Sequence, residues 1–432
     1  KNALQEDPNL GEARLLLGQA LLGSGDPVGA ETELKKAADL GVSADLVTPP
    51  LVRSRLMQGK FKQVTDEHAG KSLGTPEAQA ELLTLVAQAW RAQGNAAEFE
   101  TAVNAALQAR ADHEPALIEQ ARLKASKRDV DGAIGVLDAL LAKRPTSHEA
   151  LKLKGDLLLG GKRDVPGALG AYRAAVQAYP GYAEGQASVV RTLLGDRQLD
   201  AARPELDKLV QMAPGRPQTL YLQGQVAMAR NEPAKAREHV QQLLKLTPDN
   251  PSALELGGAV ELSLNSLVQA ETMLARAVAA APELRLARRL LVTTYLRTGQ
   301  VDRALAALPA DLATNDRDPA LLSVAGQAHM VKGQVDQAQA YFARAARLDP
   351  DDATKRTTLA VSQLAAGKTD VGIDALQDIA ASDTGVSADL ALINAHLRMR
   401  KIDEALAAIA ALEKKRPSDP LPWQLRGRAL ML

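Results

Sequence analysis

Cysteine is absent from the 432-residue chain, which excludes disulfides, thiolate zinc sites and a cysteine nucleophile. That absence is neutral on compartment, because envelope proteins can also lack cysteine. An excess of charge is missing too: 52 basic residues balance 52 acidic ones. No basic surplus exists through which phosphate attraction and counterion release would favour nucleic acid or acidic lipid. Long apolar runs are lacking. The longest, Ala405 to Leu412, is far short of the roughly 20 residues a transmembrane helix needs. Aromatics are scarce at 3%, yet 46% of the residues are hydrophobic. That is too apolar for a disordered polymer at zero net charge, so the chain is a folded one.

What is present is a repeat. Small residues within helical patterns stand at Ala133, Ala168, Ala202, Ala236, Ala270, Ala304, Ala338, Gly372 and Ala405, at steps of 34 with one of 35 at the start and one of 33 at the end. The same step reaches Phe99, Val64 and Ala30 upstream, so about twelve units keep phase. A second track, Pro145, Pro180, Pro214, Pro248, Pro282, Pro350 and Pro417, lies twelve residues beyond the small residues. A third, Gly25, Gly59, Gly94, Gly299, Gly333 and Gly367, lies five before them. Within Asp318 to Asp349, an apolar helical face over Leu321, Leu322, Ala325 and Ala328 ends at Gly333, and a second over Val335, Ala338, Phe342 and Ala345 precedes Pro350. Each unit therefore reads as a helix, a turn and a second helix.

This 34-residue pattern resembles the tetratricopeptide repeat, with small residues at positions 8, 20 and 27 and proline at 32. Position 8 is Gly18, Gly155, Gly224, Gly258, Gly326 and Gly427; position 27 is Ala37, Ala106, Ala175, Ala277 and Ala345. The family favours Trp at 4, Tyr at 11 and aromatics at 17 and 24, where this chain mostly has Leu. Trp423 at 4, Trp90 and Tyr295 at 11, Phe61 at 17, and Tyr172 and Phe342 at 24 keep the register and are expected in the core. The resemblance implies one all-α, right-handed superhelical solenoid over residues 1–432. Both ends read as cut repeats, Lys1 to Pro8 with Ala3 at position 27 and Pro420 to Leu432 as an unpartnered first helix, so a longer native protein is expected. The second unit, near 45–75, is irregular: Pro49 and Pro50 are expected to shorten its first helix, and Asp66 to Thr75 departs from the pattern.

No catalytic constellation emerges. Gly160, Gly161 and Lys162 lack the spacing and the following Ser or Thr of a phosphate loop. The six histidines, His68, His113, His148, His239, His329 and His396, have no partner at helical metal-ligand spacing. Of these, His329 and His396 fall at position 11 and are expected at the core or its rim. Acids such as Asp351 and Asp352 suit a helix first turn, and no G-x-S-x-G elbow occurs. No cofactor, metal or catalysis is expected.

When such helix pairs stack, the first helices line a concave groove, with positions 2, 5, 9 and 12 facing in. Position 9 is polar in most units and supplies Arg53, Gln88, Arg122, Asp156, Arg191, Gln225, Thr293, Gln327 and Asn394; position 5 adds Lys152, Tyr221 and Arg289. These residues are the candidate partner-binding set, able to hydrogen-bond a peptide backbone or sugar hydroxyls, with Tyr221 able to stack on a ring. A solvated face would be polar as well. The carboxylate clamp of chaperone-tail-binding repeats is not matched, since Lys152 is followed at position 9 by Asp156.

Lys1 to Leu40, followed by Gly41 to Val64 with its Pro-Pro helix, is similar to the tetratricopeptide lipoprotein associated with the PEP-CTERM/exosortase system. That resemblance implies a Gram-negative envelope lipoprotein working in exopolysaccharide biosynthesis or protein sorting, held to the membrane only by a lipid outside this sequence. The expected function is a non-enzymatic scaffold for protein or peptide partners. Direct polysaccharide binding by the groove is the alternative, and the recognition arm of an enzyme whose catalytic domain lies elsewhere is a third reading.

Overall fold

A computed structural model describes residues 4–5, 7–312 and 317–431; Ala3 lies outside them. Among the described residues all regular structure is helical, and no helix is long and apolar enough to cross a membrane. The chain divides into two compact units, Lys1–Pro214 and Gly215–Leu432. Among the described residues the first holds six helix pairs, from Gly11–Gly23 with Pro27–Asp39 to Ala183–Gly195 with Leu199–Met212. The second holds six more, from Pro217–Ala229 with Pro233–Leu246 to Ser387–Arg398 with Ile402–Lys415, and then Leu421–Leu430.

The three sequence tracks each have a structural cause. The small residues at position 20 sit at the crossing of the two helices of a pair, where Ala30, Ala133, Ala236 and Ala338 have no exposed surface. The prolines follow second-helix ends by two residues: Lys143 precedes Pro145, Met212 precedes Pro214 and Lys415 precedes Pro417. The glycines end first helices in the left-handed region, as at Gly94 with φ 74°, where the amide of Asn95 returns to the carbonyl of Trp90 at 3.0 Å. The same geometry recurs where the glycine track lapses. There Arg128, Arg163, Arg197, Asn231, Asn265 and Arg400 hold φ between 56° and 65°.

Position 8 glycines serve a different need. A Cβ on Gly155 would lie 2.5 Å from the Tyr172 ring, one on Gly326 2.5 Å from Phe342, and one on Gly258 2.3 Å from Leu274. Each glycine admits the large position-24 side chain of its own second helix. The step of 35 from Ala133 to Ala168 has a visible cause as well. Between Gly155 and Ala168 the chain holds one residue more than between Gly326 and Ala338, and the first helix absorbs it as a π turn over Leu158–Lys162.

The second unit of the repeat differs from expectation. Its first helix, Ala44–Met57, runs its full 14 residues through Pro49 and Pro50, held by buried Val47, Pro49 and Val52. The short element is instead the second helix, Phe61–His68, with 8 residues. A buried charge hub anchors this stretch. The Arg55 guanidinium, 4% exposed, reaches Glu31 at 3.1 Å, Glu67 at 2.5 Å and His68 Nε2 at 3.0 Å. Lys60 at 2.7 Å and Lys35 at 2.9 Å also meet Glu31. Burial opposes the Glu31 charge, but hydrogen bonds from Lys60, Lys35, Gln58 and Arg55 outweigh it and hold the carboxyl far below the usual range. Burial and the nearby Arg55 and Lys71 charges, opposed by Glu67, push the His68 imidazole down.

Replacing Arg128 by Gly relieves the left-handed penalty and is expected to stabilise the first unit by about 1 kcal/mol in urea unfolding. The hub predicts acid sensitivity. Glu31, depressed on folding, contributes stability present above its ordinary value of about 4.5 and lost as pH falls below it; His68, also depressed, adds loss as pH falls through about 6.5. Urea midpoints measured from pH 7 to pH 3 are expected to fall, and to fall less in Glu31→Gln, measured against its own neutral value.

Candidate partner-binding face

All twelve candidate residues lie on first helices and none is buried. The two units use them differently. In the first, most are tied into a ladder between neighbouring first helices. Arg53 pairs with Glu81, which also faces His113 Nε2 at 3.2 Å. Gln88 donates to Glu119 at 3.3 Å, joined by Arg91 at 3.0 Å and Arg122 at 3.6 Å; Glu119 itself is 3% exposed. Lys152 meets Asp156 at 2.9 Å and Glu184 at 3.2 Å, while the Tyr172 hydroxyl donates to Asp156 at 2.9 Å. Arg191 donates to the Ser188 hydroxyl at 3.4 Å.

In the second unit the same register is less committed. Gln225, Gln327 and Asn394 make no side-chain hydrogen bond or ion pair among the described residues. Thr293 is occupied, its hydroxyl donating to the Arg289 carbonyl at 2.9 Å. Tyr221 is half-buried against Leu220, Leu243 and Ala253, so its ring serves packing as much as the face. Position 5 gathers a group that sequence reasoning only half identified: Tyr221, Glu255 and Arg289 recur 34 residues apart and interact electrostatically. Burial raises the Glu255 carboxyl above its ordinary range against the pull of the Ala287 amide and Arg289.

Position 9 also marks where clefts form. Val361, Asn394 and Arg428, from three successive first helices, line a cleft of about 710 Å³ whose floor includes Leu364, Ala391 and Ala395 and whose wall includes Arg398. Gln19 and Arg53 line a smaller one of about 520 Å³ beside Pro49 and Pro50. An aromatic group was missed. His148 lies 5.0 Å from Tyr179 and 4.7 Å from Tyr182, ring centre to ring centre, with Tyr179 52% exposed. Burial and the carboxylates of Glu184, Glu149 and Asp156 push the Tyr182 phenol up to about 12, placing this cluster beside Lys152 and Asp156. Two tyrosines flanking Pro180-Gly181 were the available signal.

Most of the register-marking aromatics are core, as expected. Tyr172 and Phe342 are buried, Phe61 and Trp90 pack against the core, and Tyr295 is buried under Arg303. Trp423 differs: it is 57% exposed, with Arg426 over its ring. His396 is buried, whereas His329 stacks on Tyr341 at 5.1 Å. No three His, Asp or Glu side chains among the described residues gather as metal ligands would.

A tetratricopeptide repeat family model matches residues 118–183, 190–251, 323–387 and 390–432, more than half of the chain. The chain belongs to the tetratricopeptide repeat family. The crystal structure of the APC/C hetero-tetramer Cut9-Hcn1 is similar over 99% of this chain and 91% of that one, with TM-score 0.56 and 16% identity. A tetratricopeptide repeat protein from Parabacteroides merdae ATCC 43184 covers 57% of this chain and 97% of its own, with TM-score 0.47 and 16% identity. At such identity the first likeness speaks for the fold alone. No curated protein matches the chain.

The ladder predicts that removing both Gln88 and Arg91 side chains to Ala leaves buried Glu119, among the described residues, with Arg122 alone. The expected loss is about 1–3 kcal/mol in urea unfolding, while either single change costs less.

Proposed function

We propose that this tetratricopeptide repeat chain is a non-enzymatic scaffold that holds an extended segment of a partner protein against its first-helix face. The observation that supports this most is the cleft at Val361, Asn394 and Arg428. Its floor is apolar, and its polar rim, Asn394, Arg398 and Arg428, makes no bond within the chain among the described residues. An amide can pair with peptide backbone, and two free guanidinium groups suit a segment carrying an acidic residue. In the first unit the equivalent polar groups already satisfy one another, so a ligand there would have to displace existing pairs. The setting we propose is the Gram-negative cell envelope, in exopolysaccharide export or protein sorting; the resemblance of residues 1–64 supports it.

Direct polysaccharide binding is the second reading, and a specific group favours it: the His148, Tyr179 and Tyr182 rings offer an exposed stacking surface beside charged hydrogen-bonding groups.

Cross-linking the purified chain in envelope extract and identifying captured proteins separates the two. The scaffold reading expects a defined protein whose capture drops at least about tenfold when Asn394, Arg398 and Arg428 are changed to Ala. Saturable polysaccharide binding, lost in Tyr179→Ala with Tyr182→Ala and unaccompanied by protein capture, would reverse the assignment.

A further inference from the structure

The helix Ser387–Arg398 has open space on both sides, and the basic groups around it are used differently on each. On one side lies a cavity of about 850 Å³, where Asp389 and His396 stand at positions 4 and 11 in place of the large aromatics of the family pattern. The basic groups lining it are engaged. Lys415 meets the buried Asp389 at 2.8 Å, and Arg416 donates to the Thr384 carbonyl at 3.2 Å. On the other side is the cleft of about 710 Å³, where Arg398 and Arg428 are exposed and make no bond or ion pair within the chain among the described residues. No carboxylate is among the described residues that line it. In the first unit, by contrast, Arg53, Arg122 and Lys152 of the same face each meet a carboxylate. The cleft therefore carries uncompensated positive charge.

Its lining also changes character from helix to helix. Ala353–Ala365 contributes only Val361, Leu364 and Ala365, with Val361 44% exposed. Ser387–Arg398, packed against it, adds Ala391 and Ala395, the amide of Asn394 and the guanidinium of Arg398. Leu421–Leu430 adds Arg428. From one first helix to the next the surface thus runs from apolar to cationic, with a hydrogen-bonding amide between. Packed helices lie about 8–10 Å apart. An extended chain rises about 3.3 Å per residue and sends alternate side chains to one face, so three alternate residues cover about 13 Å. That length crosses from the apolar wall over Asn394 to side chains as long as arginine.

On the scaffold reading of this face, we propose that the cleft selects an internal, extended segment of a partner protein with one aliphatic and two acidic residues at alternate positions. The aliphatic side chain rests on Val361, Leu364 and Ala391, one carboxylate meets each of Arg398 and Arg428, and the segment's backbone pairs with the Asn394 amide. Two acids follow from two free guanidinium groups against no lining carboxylate. Alternate rather than adjacent positions follow from the period of an extended chain, in which neighbours point to opposite faces. Both carboxylates belong to side chains, so no chain terminus is needed.

Calorimetric titration of the full chain with peptides blocked at both ends tests this. The patterned sequence Leu-Ser-Glu-Ser-Glu, in both chain directions, is compared with Leu-Ser-Gln-Ser-Gln and with Leu-Glu-Ser-Glu-Ser, which keeps the composition but turns the acids to the opposite face. Expected is saturable binding of the patterned sequence in at least one direction, about fivefold to tenfold tighter than either control and weakened by added salt, because two solvent-exposed ion pairs are gained. Arg398→Gln and Arg428→Gln, both at exposed positions, should each weaken it about threefold and leave the Gln control unchanged. Equal affinity for the Gln or the opposite-face control, binding that requires a free C-terminal carboxylate, or tighter binding of an oligouronate would overturn the pattern. So would absence of saturation by every peptide. The scaffold reading itself falls only if cross-linking in envelope extract also captures no protein, so the two failures are told apart.

Discussion

The close crossing of the two helices in each pair is the constraint on which the rest depends. Where a large side chain at position 24 sits directly against the backbone at position 8, the facing residue has no Cβ. Tyr172 over Gly155, Phe342 over Gly326 and Leu34 over Gly18 are the same interlock repeated along the chain. At Gly427 a Cβ would meet nothing within 4 Å among the described residues. Because the interlock fixes the spacing of helices within a pair, it also fixes which first-helix positions face outward. The candidate partner-binding face is thus a by-product of packing, set before any ligand is considered.

Much of this was legible in the sequence, for a physical reason. Helix crossings and helix ends tolerate few residue types, so Ala133 to Ala405 and Pro145 to Pro417 print the period directly. Legibility failed where several residue types can meet one backbone demand. The left-handed residue after each first helix was visible as Gly94 or Gly333 but hidden as Arg128, Arg197 or Asn265, which take the same φ at some cost. It failed again at Pro49 and Pro50, where burial of the helix overrides the local preference to stop. At the face itself, register told which residues point outward and nothing about what they touch. That Arg53 meets Glu81, or that Glu119 gathers Gln88, Arg91 and Arg122, depends on side-chain reach between different helices, which spacing alone does not encode.

The inter-helix ladder of the first unit and the freer polar residues of the second are two uses of one surface. Buried acids such as Glu119 cannot be left unpaired, so their neighbours' polar groups are drawn into structural duty. Where the neighbouring positions are Val361 or Leu364, no such acid demands satisfaction, and Asn394, Arg398 and Arg428 remain available. Local composition therefore sorts the face into a self-satisfied stretch and a receptive one without any change of fold.

The scarcity of aromatics links both sides of the solenoid wall. Substituting Asp389 and His396 keeps the helices in register, because the small-residue crossings rather than the rings hold the phase. It does not keep the volume filled. A fold whose spacing is set by its smallest residues can lose its largest ones and remain a solenoid, and what it gains is concave, partly polar space.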